Sequence, residues 1–546
     1  MIGVLIRDET SRPIVREFFQ LFKTPWEFHR AGAHYDVLLC CDRDVPQNEA
    51  RLVLLYGTAQ NQFEKSRALQ AESAPGQSLL SFGGARLPIY RGCLRFPGAG
   101  GEIIVHESSK QPVAFRAVAA TQTVVRFGYD LFAEIRHLLT CGQPEALAGV
   151  PTLDLHIRLL RESIVKERLP LVEIPPAPAG HPFTVCLTHD VDHVRLRFHR
   201  LDHTVIGFLY RATLRSFFQF LRGRRSLSHL LTNWKAAFSL PLIYLGLVKD
   251  PWDQLESYAE LEKGLASTFF VIPRKDHPGV DPQGNIRSKR ATRYAAADIA
   301  AELKQLHANG SEIALHGIDA WHDSSAGAEE RNQIERVTGS PEMGVRMHWL
   351  YFAQESPRLL EQAGFSYDST IGYNETIGYK AGTTQVYQHP GADRLLELSL
   401  HIMDTAMFYP PYLNLSDSEA QRAIQPMIRH AAGSGGVMTI NWHDRSLGPE
   451  RLWGGAYASL LSDLRAEDPW FATAGDAVAW FRKRRAASFG DVRPGSNEVT
   501  VQWPPEQSWA NTPPLRLRVY NPAAPGADLS FEDRPILETE QVLVAA

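Results

Sequence analysis

Apolar and polar positions in this chain fall into short runs whose period changes along its length. Met1–Ile6, Tyr35–Cys41 and Leu52–Tyr56 are near-continuous apolar runs of strand length, while Pro13–Lys23 repeats its apolar residues at helical spacing. Residues 1–150 therefore read as a small α/β domain. Its Pro97-Gly98-Ala99-Gly100-Gly101 stretch is a turn and not a phosphate loop, because no Lys-Ser/Thr follows it. Residues 151–181 read as a helical connector that ends in the linker-like Ile174–Gly180. From about 182 to 487 strand and helix signals alternate. Ser267–Ile272 is β-rich, Ala297–Leu306 is helical with Asn309-Gly310 as its stop, and Ile313–Leu315 is the next strand. Such alternation predicts βα units and a parallel sheet or barrel. The tail, 490–546, carries the strand-like Glu498–Trp503 and Leu515–Tyr520 among many prolines, which predicts a small β-rich module.

Composition adds bounds. A chain of 546 residues is expected to form roughly two to four domains. Its 44% hydrophobic and 22% charged content is ordinary for a globular protein, and a net charge of −4 argues against nucleic acid as a partner. The five cysteines are odd in number and no pair has zinc-ligand spacing, which fits a reducing compartment. The N-terminus lacks the basic region of a signal peptide, and no apolar run reaches the ~18 residues of a spanning helix. The expectation is a cytoplasmic protein.

One segment, 193–250, departs from the rest. Between Leu201 and Lys249 the only acid is Asp202, whereas Arg211, Arg215, Arg222, Arg224, Arg225, Lys235 and Lys249 alternate with Phe208, Tyr210, Phe217, Phe218, Phe220, Trp234 and Phe238. Cations interleaved with aromatics suit helices lying on an anionic membrane surface, so 200–249 is a candidate for peripheral contact with the inner membrane face. The same pattern suits a helical insertion that packs on the central domain or on a partner subunit.

Three stretches carry chemistry, and each follows an apolar run: Thr188-His189-Asp190-Val191-Asp192, His316-Gly317-Ile318-Asp319-Ala320-Trp321-His322-Asp323 and Asn441-Trp442-His443-Asp444. Strand ends in α/β folds are where catalytic side chains gather. Residues two apart on a strand share a face, so Asp190 and Asp192 can enter one pocket, where a cation would relieve their repulsion. They equally suit a helix or turn cap. His316 and His322 would lie about 240° apart on a helix, so they converge only if the residues between them form a loop, which Gly317 permits. Asp319 and Asp323 could orient imidazoles. Arg346 could clamp a carboxylate, with His348 a spare ligand candidate. His443 could protonate a leaving amine, with Asp444 either orienting it or starting a loop.

Taken in order, these motifs with Ser267-Thr268-Phe269-Phe270-Val271, Arg346 and Gly364-Phe365-Ser366-Tyr367-Asp368-Ser369-Thr370 resemble the polysaccharide deacetylase family, the N-deacetylases of carbohydrate esterase type. The resemblance covers about 182–485. It implies a distorted (β/α) barrel of about seven strands with a divalent metal near its mouth, usually zinc, with cobalt an alternative. By it Asp190 is the general base, Asp192, His316 and His322 are the metal ligands, Arg346 orients Asp190, and His443 is the general acid. The implied substrate is an N-acetylated carbohydrate, here a lipid-linked or other precursor in surface or exopolysaccharide production. Three features depart from the family pattern: the six-residue gap between His316 and His322, His348 where the family has Pro, and the 193–250 insertion. Deformylation or other C–N hydrolysis on the same scaffold, and a catalytically silent module that docks at a membrane, are the alternatives.

Overall fold

The structure is a computed structural model that describes residues 1–41, 49–119, 122–200, 202–223, 225–490, 498–502, 512–521, 529–536 and 540–543. Its centre is a ten-stranded sheet. The strands are β1 (Thr184–Val191), β2 (Ser267–Val271), β3 (Glu312–Gly317), β4 (Val345–Met347), β5 (Tyr367–Asp368), β6 (Tyr387–Gln388), β7 (Leu396–Glu397), β8 (Ile402–Met403), β9 (Val437–Asn441) and β10 (Trp470–Phe471). Their order is β6-β7-β5-β4-β3-β2-β1-β9-β8, with β10 also on β1, and every ladder except β6–β7 is parallel. The expected α/β architecture with βα units is present. The strand count is ten and not about seven, and no ladder joins β6 to β8 among the described residues. Five of the ten strands are only two residues long, too short to show a hydrophobic period.

The alternation of side chains along the long strands decides where the chemistry can sit. Phe183, Val185, Leu187, Phe269, Val271, Ile313, Leu315, Val345 and Met347 pack in the main core with the surrounding helices. The intervening Cys186, Phe270 and Ala314 pack in a second core with Tyr367, Val478, Trp480 and Phe481. Continuing that second face toward the C-terminal strand ends reaches Thr188, Asp190, His316 and Arg346. The polar residues are thus the last steps of a face that begins apolar.

The N-terminal region forms a nine-stranded mixed sheet with the helix Arg12–Leu21 packed by Phe18, Phe19 and Phe22. It is fastened to the central region by Arg485 on Glu17 at 2.7 and 2.8 Å and by Gln143 donating to the Tyr379 carbonyl at 2.7 Å. Two parts of the expected layout look different in space. Residues Ile174–Pro178, in the stretch expected to be linker-like, are buried, with Ala177 against Gly435. The tail strand Leu515–Tyr520 pairs with Leu171–Glu173, and its Leu515, Leu517 and Val519 share the core of the helix Ala474–Ala486. Trp503 and the tail's connecting stretches lie outside the described residues.

The insertion folds as helices His203–Tyr210, Ser216–Leu221, Leu227–Phe238 and Leu240–Tyr244, with a π turn over Arg211–Arg215. Its inner face is a small core of Val205, Phe208, Ala212, Ala236, Ala237 and Ile243 around Trp252. Arg224 lies outside the described residues.

Candidate active site

Parallel pairing puts His316 of β3 opposite Arg346 of β4, and Thr188 of β1 opposite Asn441 of β9. These registers bring side chains far apart in sequence to one cavity of about 470 Å³ at the strand ends. Asp190, Asp192, His316, His348 and His443 all line it.

Asp190 is buried and held on both oxygens. Oδ1 accepts from Arg346 Nη1 at 2.9 Å and Oδ2 from Asn441 Nδ2 at 2.8 Å, while its own backbone N–H donates to Asn441 Oδ1 at 3.0 Å. Burial pushes its pKa up, but the Arg346 guanidinium, with His316 and His443, outweighs that and keeps it below the usual carboxylate value. Arg346 is fully buried and grips Asp190 through one nitrogen. Its other donors go to Thr188 Oγ1 at 2.8 Å, Ser369 O at 3.1 Å and Ser369 Oγ at 2.9 Å, and its plane lies 4.3 Å over Phe270. The clamp on the carboxylate is thus a single prong backed by a fixed guanidinium.

Beside Asp190, one oxygen of Asp192 and one ring nitrogen each of His316 and His348 lie within 4.8 Å of one another. Asp192 Oδ1 stands 3.4 Å from His316 Nε2 and 3.3 Å from His348 Nδ1, and those two nitrogens are 3.1 Å apart. His316 Nδ1 meets the Arg346 carbonyl at 2.9 Å, so that nitrogen carries the proton and Nε2 presents a lone pair to the cluster. Burial lowers the His348 pKa to about 4, which keeps the ring neutral, the form that binds metals. Burial disfavours charge on Asp192, yet the imidazoles of His348, His316 and His443 around it hold its pKa well below the ordinary range. Asp192 Oδ1 is buried with no hydrogen-bond donor in ideal geometry. An anionic oxygen and two neutral nitrogens facing one point fit a divalent cation in donor type and number, with room for water or substrate to complete the shell.

His322 is placed elsewhere. Its Nε2 faces Asp319 Oδ1 at 3.3 Å, and the ring is about one-third exposed on the turn beyond β3. Asp319 also accepts from His277 at 2.6 Å. Asp323 caps the helix Ser324–Thr338 by accepting from the Ser325 and Ala326 amides, so it orients a helix and not an imidazole. The cluster thus gathers His348 with Asp192 and His316, and His322, expected as a ligand from the resemblance, lies outside it. The alternation rule that pairs Asp190 with Asp192 also pairs Arg346 with His348, so the signal was present in the sequence.

On the opposite wall, His443 Nδ1 meets Asp404 Oδ1 at 2.6 Å, and its Nε2 lies 3.9 Å from Asp192 Oδ2. Asp404 also accepts from the His443 amide at 2.8 Å and from the Ser446 hydroxyl. Burial alone would lower the His443 pKa, but Asp404, with Asp192 and Asp190, pushes it up to about 9. The partner of His443 is therefore Asp404 and not the neighbouring Asp444. Asp444 accepts from the His193 and Arg445 amides, and burial raises it to about 6. Asp404 follows the two-residue β8, paired with β9 at Met403 opposite Asn441, and no sequence period marks so short a strand. Asn441 was given no role either, although it opens the third motif.

A scan of protein-family models and a search of curated proteins both return no match for this chain. Among solved structures it is similar to Agd3, a carbohydrate deacetylase, at 9% identity and TM-score 0.40 over 99% of this chain and 97% of that one. It is also similar to a Mycobacterium smegmatis protein described as a polysaccharide deacetylase, at 19% identity and TM-score 0.33 over 59% and 98%. Puue allantoinase matches at 16% identity and TM-score 0.34 over 56% and 93%. These are distant likenesses, and the chemistry is read from the side chains instead.

Proposed function

We propose that this protein is a metal-dependent hydrolase that removes acetyl groups from the nitrogen of a sugar or polysaccharide precursor. The observation that carries the reading is one cavity holding a three-donor cluster between a carboxylate kept ionised and a histidine kept protonated. Groups whose environments push their pKa values apart make an acid–base pair.

Asp192, His316 and His348 would hold the cation. Bound there, a zinc or other divalent ion supplies a Lewis acid for the amide oxygen and makes water a nucleophile near neutral pH. Asp190 takes the proton from the attacking water, and Arg346 and Asn441 hold its two oxygens so that it neither rotates nor protonates early. His443 donates its Nε2 proton to the departing amine, and Asp404 fixes its tautomer and keeps the ring charged until then. Trp349, Tyr351 and Tyr412 rim the cavity as apolar faces for a pyranose ring. Trp349 is 42% exposed and adopts φ 64°, a strained conformation of the kind found at functional sites.

The insertion supports a second element of the reading, a surface that docks on anionic lipid. Fourteen of the twenty exposed large apolar side chains among the described residues lie between Ile206 and Val248, including Phe218, Leu221, Phe238, Leu245 and Leu247. Arg215, Arg222, Lys235 and Lys249 stand among them, and the one acid, Asp202, is turned inward to cap its helix. No helix is long and apolar enough to cross a membrane among the described residues. A face that is apolar and cationic, with the exposed Glu256 beside Lys249 at its edge, matches an anionic bilayer surface. Such a location suits a substrate in surface or exopolysaccharide production.

The test is acetate release by the purified zinc-loaded chain from N-acetylhexosamine substrates, soluble and lipid-linked. Activity lost in Asp190→Asn supports the proposal. Formate or a ring-opened acid as the product would reassign the reaction, and an unaltered Asp190→Asn protein with no bound metal would make the chain a silent docking module.

A further inference from the structure

The active-site cavity carries more positive charge than deacetylation needs. Arg211 enters it from the π turn of the insertion, and Arg445 and Arg451 enter from the loop that follows His443. All three surround Tyr409. Arg451 Nη2 donates to its hydroxyl at 2.6 Å and Arg445 Nη2 approaches at 3.5 Å. Burial opposes ionisation of that phenol, yet Arg451, Arg445 and Arg211 together hold its pKa below the ordinary value. Local carboxylates balance only part of this charge: Asp404, Glu450 and Asp444 favour the charged form of Arg451 without forming an ion pair with it, and Arg451 Nη1 donates to Ser446 Oγ at 2.9 Å. Arg211 has only Glu450 at 3.9 Å, and the other Glu450 oxygen accepts from Trp252. Neither Arg445 nor Arg451 has a carboxylate within 4 Å among the described residues, although Arg451 is 5% exposed. Asp404 is engaged by His443 and Ser446, and Asp444 by the His193 and Arg445 amides. Buried cations without a paired anion are costly, and guanidinium forks match phosphate oxygens.

We propose, resting on the deacetylase reading, that Arg211, Arg445 and Arg451 form a subsite for a phosphate or pyrophosphate group carried by the sugar substrate. The subsite opens on one side to His443 and Asp192. On the other it opens to a groove of about 860 Å³ that shares Arg211, Tyr409 and Arg451 and adds Arg215 and Arg225. Asp417 and Glu419 lie in that groove's lining, so the phosphate is placed at the arginine end shared by the two cavities. A sugar held with its amide at the metal cluster would then send its phosphorylated end toward the groove beneath the insertion.

Two measurements on the full chain test this. Calorimetric titration with inorganic pyrophosphate reads the subsite without catalysis. The wild type and His316→Ala should bind, and Arg211→Gln/Arg445→Gln should bind at least tenfold more weakly. Loss of binding in His316→Ala, or equal binding in the arginine double variant, would overturn the proposal by placing the anion elsewhere. In the second measurement, kcat/KM for an N-acetylhexosamine 1-phosphate should exceed that for the free N-acetylhexosamine at least tenfold, and the preference should collapse in the double variant. Equal kcat/KM in the wild type would overturn the subsite. If no substrate releases acetate, the deacetylase reading fails while the pyrophosphate titration still decides the subsite. A further gain with a lipid-linked sugar pyrophosphate in vesicles would trace the phosphate to a lipid carrier, and no gain to a soluble ester; either supports the subsite.

Discussion

Two neighbouring strand ends carry a histidine apiece beyond the paired positions, and only one of those rings reaches the three-donor cluster. After Gly317 the chain turns away from β3, and after Met347 it turns away from β4. His348 lies two residues past Arg346 and keeps the same face, so it arrives beside His316. His322 lies six residues past His316, after the chain has left the strand. The Glu330 carboxylate fixes that departure by accepting from the Ile318 and Asp319 amides at 3.0 and 2.9 Å. Arg290, 1% exposed, clasps both turns, since its Nη2 donates to the Ile318 and His348 carbonyls at 2.9 Å. Side chains within two residues of a strand end inherit the strand's geometry, whereas those farther along follow the loop.

The largest effect is expected at Asp190, the carboxylate that Arg346 and Asn441 hold beside the cluster. Asp190→Asn should cut turnover by about 10²–10⁴, the usual size of a positioned acid–base group, with metal content unchanged. Retained turnover would remove Asp190 from the mechanism. Next, Arg346→Ala leaves Asp190 buried and unpaired. It should lower unfolding free energy by about 3–5 kcal/mol in a denaturant titration, whereas a loss near zero would mean that Asn441 suffices.

A smaller effect concerns pH. His443 has its folded pKa raised to about 9 above an ordinary value of 6.5. Its contribution to stability is therefore fully present below about 6.5 and lost as pH rises through about 9. Activity that needs the imidazolium follows the same window, falling on the alkaline side. Asp404→Asn should move that limb of the kcat profile to lower pH, and Asp444→Asn should leave it in place. Smaller still, Phe218→Ser and Arg222→Gln should each weaken co-sedimentation with vesicles containing anionic lipid. The arginine accounts for about 1 kcal/mol, and its effect should vanish in neutral vesicles.

Much of this was legible in the chain. The runs at Phe183, Ser267, Glu312 and Gly436 are long enough for their β character to show, and the strand ends they predict hold Asp190, Asp192, His316 and His443. The position of Arg346 also follows, because it lies between the apolar Val345 and Met347. What was not legible depends on strands of two residues. Asp404 follows one of them, and the ten-strand count includes five. His348 was open to the same alternation rule as Asp192, but the order of motifs in the resemblance assigned the role to His322 despite its six-residue gap from His316. The burial of Ile174–Pro178 was hidden because a proline-rich stretch looks alike in sequence whether it is solvated or packed.

The central claim is that His348, and not His322, completes the metal cluster with Asp192 and His316. Zinc content of His348→Ala and His322→Ala proteins, purified alike and measured by atomic emission beside the wild type, tests it directly. The expected result is a wild type and a His322→Ala protein near one zinc per chain and a His348→Ala protein nearly empty. Zinc lost from His322→Ala and retained in His348→Ala would contradict it.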